Sequence, residues 1–381
     1  MVYLPPLRLT GATILRDGEM QRRSLGLADG RIAPGPFPEV DLGGFLLMPG
    51  IVDLCFDAPA GGSAALSRAL QAAGRTAAAA GITTGFLAQG WSWEGGPRAP
   101  ARAAAVGAEL ARTRQSLAAD LRLRLDCETH LTDSGAALLS MIEAAGGGYV
   151  VFRDTAERAE EAWHADPAGF ALRAWAAGRT PEEHLAAAAA ARGRAREVPR
   201  HLCRLAEAFD RLGLVYGSHG DADGETREGF AMIGARVADC PATRKAAAAA
   251  HAMMNPVLLP ADGIAGPGEC PRRDLIRQGL CDALVSAGRP GALAEAAFAL
   301  VEQGILTLPR AWALISARPA EILRMPDRGA LTPGLRSDVV AVNAESRAVE
   351  AVIAGGRLTH LAGEAARRFQ NQPRALAVAA E

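Results

Sequence analysis

Hydrophobic and polar positions change rhythm twice along the chain. Over the first 47 residues, short apolar runs such as ATIL and SLGLA alternate with turn signals at Asp17-Gly18 and Asp29-Gly30, which predicts a small antiparallel sheet. The C-terminal part has the same rhythm: strands at 338–342 and 349–353, a Gly355-Gly356 turn and a closing strand. Between these ends, short apolar runs alternate with long alanine-rich segments of helical period, the pattern of repeated βα units and a parallel sheet. The runs predict eight strands, at 51–57, 82–89, 121–128, 148–154, 213–219, 230–236, 252–258 and 282–287, with helices at 63–80, 101–117, 181–195 and 200–212.

Eight parallel strands with outer helices is the count of a (β/α)8 TIM-like barrel. The expected fold class is therefore α/β: a barrel over residues 48–325, with residues 1–47 and 326–381 meeting in a small composite β-sandwich. An open doubly wound sheet would want a Gly-rich phosphate turn after its first strand, and APAGGSAA matches that fingerprint poorly.

Composition narrows the function classes. The chain has 381 residues, 49% hydrophobic and 22% charged, with a formal net charge of −1, which excludes a protein-wide surface for nucleic acid but leaves room for a local anion site. Lys245 is the single lysine, so arginine carries the positive charge. The six cysteines are scattered without a CxxC pair, no apolar run reaches the ~20 residues of a membrane span, and no signal-peptide pattern opens the chain. These features predict a cytoplasmic protein with reduced thiols, no membrane or nucleic-acid partner, and room for homo-oligomers.

In a barrel the chemistry gathers at the C-terminal ends of the strands. Those ends hold Cys55 and Asp57; Gln89; Cys127, Glu128 and His130; Arg153 and Asp154; Ser218, His219 and Asp221; Asn255; and Ser286 with Arg289. Each has a bland alternative. Cys55 suits a packed small hydrophobe as well as a thiolate ligand, and Asp57 suits a helix cap as well as a metal ligand. Glu128 is either a site carboxylate or the partner of Arg124 or Arg153, and Asp154 and Asp221 also suit turns and caps. His219 is either functional or a hydrogen-bonded core histidine, and His130 could stand in for a missing ligand. Arg289 could grip phosphate or pair with Glu128 or Asp57. The basic run from Arg192 to Arg204 reads as a solvated helix face, and Trp91-Ser92-Trp93-Glu94 as rim packing or a lid.

Four stretches resemble the amidohydrolase superfamily: GFLLMPGIVDLCFDA, AAAAGITTGFLAQ, ISARPAEILRMPDRGALTPGLRSDVVAVN and DGRIAPG. Within it, LRLRLDCETHL, REVPRHLCRLAEAFDRLGLVYGSHGDAD, VADCPAT and CDALVSAGRP resemble the ribose 1-methylphosphonate 5-triphosphate diphosphatases of phosphonate breakdown. The resemblance implies a metal-dependent hydrolase that releases pyrophosphate from a small phosphorylated substrate, with a divalent zinc, manganese or magnesium ion activating water. Carried onto this chain, it makes Cys55, Asp57, Glu128 and His219 the metal set, Glu128, His219 and Asp221 the catalytic set, and Arg153 and Arg289 the substrate contacts.

The departures from that pattern are specific. Cys55 stands where a histidine is expected, Thr155 follows Asp154 in place of histidine, Gly220 follows His219 in place of an acid, and Ala287 replaces the strand-eight aspartate that would take the proton of water. Three readings remain: a rearranged metal hydrolase, a barrel that has lost its metal and catalysis and serves in binding or assembly, and a carbon–nitrogen hydrolase.

Overall fold

The computed structural model describes residues 3–57 and 63–370; the APAGG segment therefore lies outside the described residues. Eight parallel strands run in sequence order: Ile51–Asp57, Ile82–Trp91, Asp120–Glu128, Tyr149–Arg153, Val215–His219, Val237–Asp239, Val257–Pro260 and Ala283–Val285. They are called strands one to eight below. The first and last close on each other without a continuous ladder. At the C-terminal end of the seam, the Ala287 N–H and Ser286 Oγ donate to the Cys55 carbonyl at 3.1 Å each, and the Asp53 carboxylate accepts the Ser286 N–H at 3.1 Å. At the other end, Val52 and Leu284 donate their N–H groups to the carbonyls of Ile315 and Leu314, a turn wedged into the gap. The closed ring rules out the open doubly wound sheet.

Alternation decides which side chains enter the barrel. On strand three, Leu121, Leu123, Leu125 and Cys127 join the layer between sheet and helices, and Arg122, Arg124, Asp126 and Glu128 take the other face. Val52, Leu54, Tyr149, Val151, Val237, Leu258 and Val285 fill the barrel interior beside them.

Strands six and seven differ from expectation. The run at 230–236 belongs to a helix, Gly224–Met232, and its continuation; strand six is the three residues Val237–Asp239. Asp223 caps that helix by accepting the Thr226 N–H at 2.8 Å, and Gly234, at φ 88°, ends it. Likewise 252–258 straddles the end of a helix, Arg244–Ala252, and the start of strand seven. Both helices are nine residues long, so helix and strand merged into one apolar run.

The chain ends form two further sheets. One has four strands, all from residues 7–41; the other has six, with Phe45–Pro49 between Thr13–Arg16 and Val339–Asn343. Among the described residues, no helix is long and apolar enough to cross a membrane.

Trp312 fastens the barrel to these sheets. Its side chain is fully buried, its indole N–H donates to the Pro49 carbonyl at 2.9 Å, and it packs on Phe298 at 5.8 Å between centroids. Trp312→Ala is expected to cost about 3–5 kcal/mol in urea unfolding, and Trp312→Phe less, since it keeps most of the buried area but leaves the Pro49 carbonyl without its donor.

Candidate active site and its relatives

A guanidinium occupies the interior of the barrel. Arg124 is fully buried. Its Nε donates to Asp126 at 2.9 Å, its Nη1 and Nη2 hold both oxygens of Asp239 at 3.1 and 2.7 Å, and Nη1 also reaches the Leu54 carbonyl at 3.3 Å. The guanidinium lies over the Tyr149 ring, 5.6 Å from its centroid. A buried charge is tolerated only when it is paired and hydrogen-bonded, and here strands one, three and six all contribute partners.

A second guanidinium completes the array. Arg153, at the end of strand four, lies 3.2 Å from Asp126 through Nε and 2.7 Å from His219 Nε2 through Nη2. His219 Nδ1 meets Asp239 at 2.5 Å. With its proton on Nδ1, His219 donates to Asp239 and accepts from Arg153, satisfying both contacts. Burial pushes Asp126 up, but Arg124 and Arg153 outweigh it and its pKa falls to about 2. Burial likewise opposes ionisation of Asp239, yet Arg124 and His219 hold it well below the usual carboxylate range. Two arginines thus balance two aspartates.

Glu128 belongs to a different group. Its Oε2 accepts the N–H of Thr155 at 3.0 Å and the Thr155 hydroxyl as well, so the residue standing in place of a histidine caps this carboxylate. His130 Nδ1 lies 3.6 Å from Glu128 and 3.5 Å from Asp154, and its Nε2 is 3.4 Å from Glu157. The Glu128 contact raises the His130 pKa, burial opposes it, and Asp154 and Glu157 add to the rise.

The expected metal set is therefore split. His219 converges with Asp239 and Cys240, and Glu128 with His130 and Asp154; these are two groups in the described residues that could hold an ion. The first does not fit a divalent metal. Both Asp239 oxygens are engaged by Arg124 and both His219 nitrogens are engaged, by Asp239 and Arg153. In the second, His130 is held by carboxylates as an ion pair, which competes with its use as a neutral ligand.

The remaining expected residues lie as follows. Burial pushes the Cys55 thiol up to about 12, as in a packed thiol. Asp57 is exposed at the rim beside Gly288, where an added Cβ would approach its carboxylate to 2.7 Å. Asp221 is buried and paired with Arg227 at 3.1 Å, with Ser218 donating to it at 2.8 Å. Arg289 is half exposed and bonds to Asp262 at 3.1 Å and Glu295 at 2.6 Å; it neither enters the barrel nor meets Glu128 or Asp57. Arg153, expected to touch substrate, contacts Asp126 and His219. Arg192 and Arg194 pair with Glu160 and Glu197, as a solvated face would. Trp91 is buried with its N–H on Ser134, and Trp93 packs on His184.

Sequence reasoning missed Arg124 as a site residue, and with it Asp126, Asp239 and Cys240. The alternating charges of LRLRLDCE were the available signal for the first two.

Two solved structures share this architecture. N-acetyl-D-glucosamine-6-phosphate deacetylase from Mycobacterium smegmatis superposes with a TM-score of 0.66, covering 93% of this chain and 100% of its own at 17% identity. The beta-aspartyl dipeptidase of Fervidobacterium islandicum gives a TM-score of 0.65, 95% and 97% coverage and 14% identity. The chain has the amidohydrolase fold. Alpha-D-ribose 1-methylphosphonate 5-triphosphate diphosphatase of Escherichia coli is 32% identical over 165 residues, a match that spans 42% of each protein. No family model matches. Two residues beyond strand eight, Ala287, at φ 46°, presents no carboxylate.

Arg124→Met should destabilise the fold by about 3–5 kcal/mol at pH 7 by leaving the buried Asp126 with Arg153 alone and the buried Asp239 with His219 alone, with part of the loss recovered in Arg124→Met/Asp239→Asn; a urea double-mutant cycle reads the coupling. Because the folded Asp126 pKa is depressed, its contribution is present above the unfolded value and disappears as pH falls from about 4 to about 2. The His130 contribution has the opposite sign. It is fully present below the unfolded value of about 6.5 and lost as pH rises through the higher folded value, so His130→Asn should remove that alkaline loss from a melting-temperature profile.

Proposed function

We propose that this chain is a non-hydrolytic relative of the triphosphate diphosphatase, an amidohydrolase-fold binding protein whose barrel centre is held by arginine instead of a divalent metal. The observation that carries this reading is Arg124, with no exposed surface and bonded to both Asp126 and Asp239. A divalent ion placed among those carboxylates would meet two guanidiniums already neutralising them, and the repulsion would cost more than the ion's remaining ligands return. Two further features agree: Ala287 offers no proton acceptor, and His219 has no lone pair left for a metal.

The partial likeness to the diphosphatase supports descent from a phosphohydrolase, and so favours a phosphorylated small molecule as the ligand class over a peptide or cyclic amide. On this reading no residue of the barrel mouth activates water. The Asp126–Arg124–Asp239–His219–Arg153 array keeps the mouth in one arrangement.

The test combines elemental analysis with turnover. After dialysis against zinc, manganese and magnesium, the protein is expected to hold far less than one ion per chain, and to release no pyrophosphate from a ribose or nucleoside triphosphate above the background of a heat-denatured control. One tightly held ion per chain, together with pyrophosphate release abolished by His219→Ala, would sink this reading in favour of a rearranged metal hydrolase.

A further inference from the structure

A large cleft lies at the opposite end of the barrel, between the N-terminal ends of strands three to five and the terminal sheets, with a volume of about 1280 Å³. Among the described residues, seven arginines and three aspartates line it, an excess of four positive charges on a chain whose formal net charge is −1.

Four of these arginines converge on one carboxylate. Asp120, the first residue of strand three, receives Arg114 at 2.6 Å, Arg122 at 3.0 Å, Arg328 at 2.8 Å and Arg336 at 3.2 Å. Asp327 and Asp338 take second contacts from Arg328 and Arg336, so four guanidiniums share three carboxylates. The other three arginines of the cleft have no carboxylate partner among the described residues. Arg31 donates to the Gly334 carbonyl, Arg357 to the carbonyls of Gln115 and Leu117, and Arg324 is exposed. Burial lowers the Arg122 pKa, Asp120 opposes this, and the neighbouring Arg114 and Arg328 lower it further. Guanidiniums crowded beyond their supply of carboxylate are the arrangement that bidentate phosphate oxygens relieve. Phe86, Leu121 and Leu214 give the same cleft apolar wall.

We propose that this arginine-lined cleft is a binding site for an oligophosphate anion, with Arg114, Arg122 and Arg336 as the inner contacts and Arg31, Arg324 and Arg357 as the outer ones. The site is independent of the barrel mouth, so it stands whether or not the mouth hydrolyses anything. Arg328 is the anchor: with its side chain only 4% exposed, it ties Asp120 to Asp327 and holds the inner arginines in place.

Calorimetric titration of the full chain with inorganic tripolyphosphate at 0.15 M chloride is the test, with ATP as a second arm. One saturable site per chain is expected. Arg122→Glu should weaken it by about tenfold or more, while Arg192→Ala, on a helix outside the cleft, should leave it unchanged. Because Arg122→Glu places a like charge beside Asp120 and could disturb folding, the paired substitution Arg31→Glu/Arg324→Glu, at exposed positions, serves as the second variant and should also weaken binding. ATP binding about tenfold tighter than tripolyphosphate would place a nucleoside against the apolar wall; equal binding would identify the phosphate chain alone as the ligand. No saturable heat up to millimolar tripolyphosphate, or equal affinity in wild type and both charge-reversed variants, overturns the proposal.

Discussion

A guanidinium buried with no exposed surface is the constraint on which the barrel depends. Transferring the Arg124 charge from water is expensive, and only direct partners with good geometry offset it. That requirement fixes Asp126 on the same strand, brings Asp239 from the short sixth strand, and uses the Leu54 carbonyl of strand one. Each partner is then committed. Asp239 can orient His219 only because Arg124 already holds its charge, and Asp126 draws in Arg153, which closes the circuit on His219. The polar centre is thus a self-consistent array in which every strong group has a counterpart inside the protein.

Strand three carries this economy from one end of the barrel to the other. Its inward face runs Asp120, Arg122, Arg124, Asp126, Glu128, one charge every second residue. The first two serve the arginine-lined cleft, the middle two form the central array, and the last joins His130 and Asp154 at the rim. Few barrel strands can afford such a face, because inward positions are normally apolar. The neighbouring strands contribute Tyr149, Val151, Val237 and Leu258 as well as Arg153, His219 and Asp239, so the charges of strand three meet both apolar and charged neighbours inside the barrel.

Much of this was legible in the chain, and the exceptions have physical causes. The change from alternating ends to alanine-rich repeats announced a barrel flanked by sheets, since periodicity reports directly on which faces are buried. Cys55 and Ala287 stood out as departures from the pattern that the resemblance implies because their neighbours kept it. Asp239 was not visible. Its strand is three residues long and follows a nine-residue helix so closely that their apolar residues merge, which displaced the expected strand end. Arg124 escaped for another reason: a charged residue in mid-strand reads as a solvent-facing position until its partners, remote in sequence, are known to surround it. The partners of Arg289, Asp262 and Glu295 at the surface, were not legible either, because they lie beyond the strand ends that were read.

The pairing of Phe45–Pro49 with Val339–Asn343 joins the two ends of the barrel-forming chain in one sheet. A barrel whose first and last strands lack a continuous ladder would ordinarily fray at that seam. Here neither terminal strand can peel away until the flanking sheet has opened, so the chain behaves as a large closed loop. The barrier to unfolding then resides as much in that sheet as in the barrel, and the same sheet, through Ala354 and Arg357, forms one wall of the arginine-lined cleft.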